Sequence, residues 1–374
     1  MRTTVTIVRF FVGLLFIFSG LVKANDPLGL SYKIQEFFEI WGLHSFNEYT
    51  LALSLLLNAF EIIAGVALLI RWQFQLTGWF LLLLIIFFTL LTGYTYWTGL
   101  PKNCGCFGDC LPISSQFSFL KDVGLTILIC FLLWQRRHVN GSPDKLIGQW
   151  GMTLAVFFSA GVQAYALFYL PLVDCLPFKL GSDLVENRKM PKNAIPDSTV
   201  ILFTYLKNGK EVQFSASEFP ADFDASRYQF VKREDKLIRK GVNNEPPIKG
   251  FVLSSQDGID STDAILELPL AIVVINEKSE ALVGQQRVLQ TIRALTLTKG
   301  VPAYLVSSSP DKTRSLLKSM DLQGIPVFSC DLKAIQTAGR VDPTYYVLKK
   351  GVVFAKVSDR QIDQLWETIE SVIP

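Results

Sequence analysis

The segment Asn103-Cys104-Gly105-Cys106-Phe107-Gly108-Asp109-Cys110 gathers three thiols within seven residues and is the part of this chain best equipped for chemistry. Thiol–disulfide exchange needs a thiolate, access and a sulfur partner. Gly105 and Gly108 permit the tight, partly left-handed backbone that brings the sulfurs together. A Cys-Gly-Cys bond would close a strained ring, and strain makes a disulfide easier to reduce. Lys102 beside Cys104 would lower a thiol pKa and Asp109 beside Cys110 would raise one, which separates attacking from resolving roles. Cys175, just past the last long apolar run, is the fourth candidate, and four cysteines allow three pairings between which the sequence does not choose. The plain alternative is a permanent staple from Cys104 or Cys106 to Cys110. A metal held by Cys104, Cys106, Cys110 and His44 is a third reading, set against by a spacing unlike that of a zinc knuckle, so no metal ligands are assigned.

Those thiols must be positioned by a membrane bundle. Of the 374 residues, 50% are hydrophobic and only 18% charged, with the apolar residues crowded into the first 172. A net charge of +3 and the lack of a basic stripe give no case for a nucleic-acid partner. Five apolar stretches approach the roughly 20 residues that cross a bilayer: Ile7 to Val22, Leu51 to Ile70, Leu76 to Tyr96, Phe119 to Trp134 and Trp150 to Leu172. Val22-Lys23-Ala24 is a poor cleavage site, so the first stretch reads as a retained helix and not as a signal peptide. Arg2, Arg9, Arg71, Arg136, Arg137 and Lys145 gather on one side, which predicts a cytoplasmic amino terminus. Five spans then carry the cysteine turn, Cys175 and everything after it to the outer, oxidising side. Between the first two spans, Tyr32 to Leu43 has the spacing of an interfacial amphipathic helix that would roof the site.

Within the spans, Glu61 is a carboxylate in hydrocarbon, which costs a few kcal/mol unless it is protonated, paired or in a polar pocket. Asn58 lies one turn away on the same face. Arg9 either snorkels to the headgroups or turns inward toward Glu61. As a functional stripe, Glu61, Asn58 and Arg9 would bind a quinone head group or pass a proton; as a structural one they would glue helices together.

Leu176 to Ser198, rich in proline and charge, reads as a linker. Ile201 to Leu206 and Glu211 to Phe214 form a hairpin around Asn208-Gly209, followed by a second extended pair, Tyr228 to Lys232 and Lys236 to Arg239. From Leu270, strands and helices alternate as in an α/β unit, closing with Tyr345 to Lys349, Val352 to Val357 and a helix over Asp359 to Val372. The run from Asp342-Pro343-Thr344 to Val353 resembles the thioredoxin-fold signature, in which a cis-proline opens a hairpin strand. Glu277 to Leu282, where a thioredoxin carries its Cys-x-x-Cys, has no cysteine. Cys330 reads as a buried core residue.

Arg9-x3-Gly13-x2-Phe16-x2-Ser19-Gly20-x2-Lys23, Glu61-x3-Gly65 with Arg71, and Cys104-x-Cys106-Phe107-Gly108 resemble the DoxX and MauE group of bacterial membrane proteins. The whole chain is similar to the branch in which that bundle is fused to an extra-cytoplasmic domain. The resemblance implies a four-helix unit in the inner membrane, associated in MauE members with disulfide formation in an exported dehydrogenase, and Cys104 with Cys106 as the redox pair. Cys110, the fifth span and the cysteine-free shell depart from that pattern. The expectation is therefore an all-α, five-span bundle over 1–172, a linker over 173–198 and a periplasmic thioredoxin-like α/β domain over 199–374. Its function would be an inner-membrane thiol–disulfide relay, with exported proteins or a membrane complex as partners and quinone as candidate acceptor. The rival is a non-catalytic assembly protein whose cysteines are a staple.

Overall fold

A computed structural model of the chain describes residues 1–101, 105, 108–111, 113–139, 144–221, 223–224, 226–239, 241 and 243–372. The amino-terminal half is helical: α1 (Arg2–Ala24), α2 (Pro27–Ile40), α3 (Thr50–Ile70), α4 (Phe74–Thr98), α5 (Ser115–Trp134) and α6 (Lys145–Tyr169). All except α2 are long and apolar enough to cross a membrane, α3 together with the 3-10 turn His44–Tyr49 before it. The five expected spans are thus present. In hydrocarbon each backbone N–H and C=O must be satisfied within the protein, and a helix does this within itself. On α1 the buried positions Val5, Arg9, Val12, Phe16, Ser19 and Lys23 repeat at helical spacing, while Ile7, Phe10, Phe11, Leu14 and Phe18 are exposed, as a lipid-facing side requires. Helix α2 begins ahead of the expected Tyr32: Asp26 accepts a bond from the Gly29 N–H and Pro27 fills the first turn.

Glycines bring α1 and α3 together. A Cβ on Gly65 would stand 2.8 Å from the Gly13 carbonyl oxygen and 3.0 Å from the Ile17 nitrogen, both backbone atoms that cannot turn aside. Gly65→Ala is expected to destabilise the bundle by about 1–3 kcal/mol, read as a lower Tm in detergent; an unchanged Tm would mean that the two helices part without cost.

The carboxy-terminal half holds two sheets. In the first, β1 (Ser198–Lys207), β2 (Lys210–Ser215) and β3 (Tyr228–Arg239) are antiparallel in the order β2-β1-β3. Asn208 and Gly209, with φ of 52° and 77°, make the turn between β1 and β2. The two short strands expected beyond Tyr228 are one long strand. Its charged centre stays extended because it pairs residue by residue with β1, and Lys232 with Glu234 and Arg233 with Asp235 neutralise each other along the exposed edge.

A short helix α7 (Leu184–Asn187) precedes these strands and α8 (Thr262–Leu266) follows them. The second sheet then forms from β4 (Ala271–Asn276), β5 (Ala303–Ser307), β6 (Val327–Ser329), β7 (Thr344–Lys349) and β8 (Val352–Ser358), in the order β6-β5-β4-β7-β8. Strands β4, β5 and β6 are parallel neighbours, and β7 runs antiparallel to both β4 and β8. Helices α9 (Gln286–Lys299), α10 (Pro310–Ser319) and α12 (Ile362–Val372) cover one face through Leu289, Leu317 and Leu365. The other face is covered by α11 (Leu332–Ala338), by Phe251, and by Phe178 and Leu184 from the stretch expected to be a linker. That stretch is tied to β8 by bonds from the Gly181 and Leu184 N–H groups to Val353 and Gly351. A sheet with two buried faces explains the unbroken apolar run of β4, where all six residues are buried.

Candidate functional site

Cys104 and Cys106, with Lys102 and Phe107, lie outside the described residues. Between them Gly105 is described, with φ of 71°, and a Cβ there would stand 3.1 Å from Lys33 Cγ, so α2 roofs the turn closely. Among the described residues, the sulfur bond present is Cys110–Cys175, with Cα atoms 4.9 Å apart. It ties the turn after α4 to the segment after α6. Cys130 faces outward from α5 and Cys330 is buried; burial pushes the Cys330 thiol up to about 11, which keeps it protonated and inert.

Each half-cystine follows an aspartate, and each aspartate is held by a cation of the carboxy-terminal half. Asp109 accepts from Arg340 Nη2 at 2.7 Å, and Asp174 accepts from Lys356 Nζ at 2.6 Å. Arg340 also reaches Asp26, the cap of α2, with Nε at 2.8 Å, and its guanidinium lies over the Tyr32 ring. Burial works against the Arg340 charge, but Asp26 and Asp109 outweigh it and hold its pKa above the ordinary value. For Lys356 burial wins over Asp174 and the pKa is lowered.

Glu277, at the end of β4 where the cysteine-free stretch begins, accepts from Tyr32 Oη at 3.0 Å and from Gln336 Nε2 at 3.1 Å. The start of this stretch is therefore held against α2. Burial first, and then the Glu277 charge, raise the Tyr32 pKa. Behind this stretch the peptide Asp342–Pro343 is cis, as its resemblance implied. The Asp342 carboxyl accepts the N–H groups of Glu277 and Lys278, yet burial raises its pKa from 3.8 to about 6. An acid raised on folding favours the fold when protonated, so its contribution is complete below 3.8 and is lost as pH rises through about 6. Asp342→Asn should flatten the pH dependence of Tm between those limits relative to the parent protein; equal slopes in both would refute the assignment.

The three membrane residues singled out from sequence go to three places. Glu61 pairs with Lys23, their side chains 1% and 2% exposed. Asn58 Nδ2 donates to Gln163 Oε1 at 3.3 Å and thereby joins α3 to α6. Arg9 neither snorkels nor meets Glu61: Nη1 donates to the carbonyls of Leu68, at 3.0 Å, and Leu69, in the last turn of α3, where the helix itself leaves carbonyls short of partners. Sequence reasoning missed Lys23 as the partner of Glu61. The signal was the seven-residue spacing Arg9, Phe16, Lys23, which puts all three on the buried face of α1. It also missed Asp122, buried on α5, where it pairs with Lys121 at 2.9 Å and accepts from Thr92 at 3.1 Å.

Residues 199–240, the three-stranded sheet, match a family described as a domain of unknown function (DUF8463). No curated protein matches the chain, and no solved structure does. The model of the family described as methylamine utilisation protein MauE matches residues 1–135, so the part of the chain from α1 to α5 is similar to that family of membrane proteins.

Proposed function

We propose that this protein is a thiol–disulfide relay of the bacterial inner membrane. Its bundle over 1–172 has a cytoplasmic amino terminus, and the thioredoxin-like unit over 199–374 lies in the periplasm, joined by the segment 173–198. A client thiolate attacks one sulfur of a Cys104–Cys106 disulfide and a cysteine thiolate leaves; a second client thiolate resolves the mixed disulfide. The client gains a disulfide and Cys104 and Cys106 become a dithiol. The dithiol then passes two electrons and two protons to a quinone, which restores the disulfide and forms a hydroquinone. The clients are exported protein thiols.

The observation that carries this reading is the Cys110–Cys175 bond. It uses the two cysteines for which the family resemblance had no role, and leaves Cys104 and Cys106 as the remaining pair of that turn. A disulfide also favours an oxidising compartment for the turn and for the segment after α6. The strand order of the second sheet, with the Asp342–Pro343 turn before β7, supports the thioredoxin-like reading. A second reading, a non-catalytic docking protein, is favoured by the Arg340 and Lys356 clamps, which suit a fixed staple. Alkylation gel shift in native membranes separates the two. For the relay, Cys104 and Cys106 cycle with the state of the quinone pool while Cys110 and Cys175 stay bonded, and Cys106→Ser abolishes client oxidation. If all four stay locked and Cys106→Ser works normally, the relay is wrong. A carboxy-terminal reporter fusion that proves cytosolic would also overturn it.

A further inference from the structure

Between α2, α3 and α4 runs a groove whose walls are almost wholly aliphatic and aromatic, among them Phe37, Leu57 and Phe88, with Gly105 of the cysteine turn at its edge. Trp41, Leu53 and Phe87 at its sides are exposed apolar residues, the kind that a bilayer covers. Two cations join this apolar lining: Lys33, which is paired with Glu36 at 3.2 Å, and Lys23, whose Nζ lies 4.8 Å from the Phe88 ring centroid. Lys23 also lines a second cavity of about 20 Å³, shared with Ser19, Glu61 and Asp122, room for about one water. There Glu61 Oε2 is buried with no hydrogen-bond partner among the described residues.

We infer that the groove seats an isoprenoid quinone, with a ring oxygen at Lys23, and that Lys23 and Glu61 manage its protons. This rests on the relay reading and names the site and the groups that the reading lacks. The apolar walls require an apolar ligand, the cation requires an acceptor oxygen on it, and the exposed apolar rim admits it from the bilayer. The place beside the cysteine turn requires a carrier of two electrons. A phospholipid satisfies the walls, the rim and the cation, since its ester and phosphate oxygens accept hydrogen bonds, but it cannot carry electrons. Two thiols and a quinone give one disulfide and one hydroquinone. The two thiol protons account for the two new O–H bonds: Lys23 delivers the proton at its ring oxygen and regains one through Glu61 and the water-sized cavity. The site differs from the stripe of Glu61, Asn58 and Arg9, since Asn58 serves α6 and Arg9 serves the end of α3.

The test uses the full chain in nanodiscs and a photoreactive azido-ubiquinone of short tail, with labelled peptides mapped by mass spectrometry. Labelling is expected on α2 and α4 around Phe37 and Phe88. Leu57→Trp, which fills the groove, should cut it by about tenfold, whereas Leu56→Trp, on a residue 70% exposed to lipid, should leave it unchanged. Labelling elsewhere in the unaltered chain, or displacement by short-chain phospholipid as effective as by unlabelled quinone, overturns the proposal without recourse to any variant. Failure of the relay is seen separately. Quinone labelling in the groove with Cys104 and Cys106 locked sinks the relay and keeps the site; cysteines that cycle with no labelling in the groove do the reverse.

Discussion

Replacing Arg340 by methionine should release the carboxy-terminal half from the bundle. The methionine keeps most of the apolar stem but leaves Asp26 and Asp109, both bonded to the guanidinium, facing each other without a cation. Removing one member of a buried charge cluster costs about 3–5 kcal/mol, because the remaining charges stay desolvated. The lower end applies here, since Asp109 is 38% exposed and water screens part of its charge. Hydrogen–deuterium exchange should rise in both Pro27–Ile40 and Leu332–Ala338, the two helices that the cluster joins, while β4 stays protected. Arg340→Lys should rescue little: one ammonium cannot direct separate N–H groups at Asp26, at Asp109 and at the Gln336 carbonyl. Asp26→Asn with Asp109→Asn, placed in the methionine background, should restore part of the loss by removing the repulsion. Unchanged exchange in both helices would show that the halves are held by other contacts.

Lys23→Met is expected to be about as damaging. Its partner Glu61 is 1% exposed within a membrane span, so the change strands a carboxylate that bulk water does not reach. The penalty is again about 3–5 kcal/mol, well above the roughly 0.6–1.7 kcal/mol of a hydrogen bond between membrane helices. Asn58→Leu, which removes only the bond to Gln163, should therefore be the milder change. The decisive measurement is a double-mutant cycle. Lys23→Met with Glu61→Gln should recover most of the stability lost by Lys23→Met alone, as read from unfolding in mixed micelles. If the two losses simply add, the pair is not an interacting pair and the groove loses its cation's support.

The elements were legible because their signals are local. Apolar runs of span length marked α1 and α3 to α6, Asn208-Gly209 marked its hairpin, and short apolar runs alternating with helical stretches marked β4 to β8. Helix α11 was overlooked because Lys333, Gln336 and Thr337 dilute its apolar face, although Asp331, whose carboxylate accepts the Lys333 and Ala334 N–H groups, was a cap in plain view. Strand β3 was broken in two because a charged run reads as a turn until its pairing with β1 is known.

Residue types and spacing alone established five spans, a sulfur-rich turn between two of them and an α/β unit after them. Only tertiary structure decided that Cys110 bonds Cys175, that Lys23 answers Glu61, and that Arg340 meets aspartates 231 and 314 residues away. Periodicity is written between neighbours in the chain, whereas the partner of a buried charge or sulfur depends on which distant segments the packed helices and sheet bring within bonding distance.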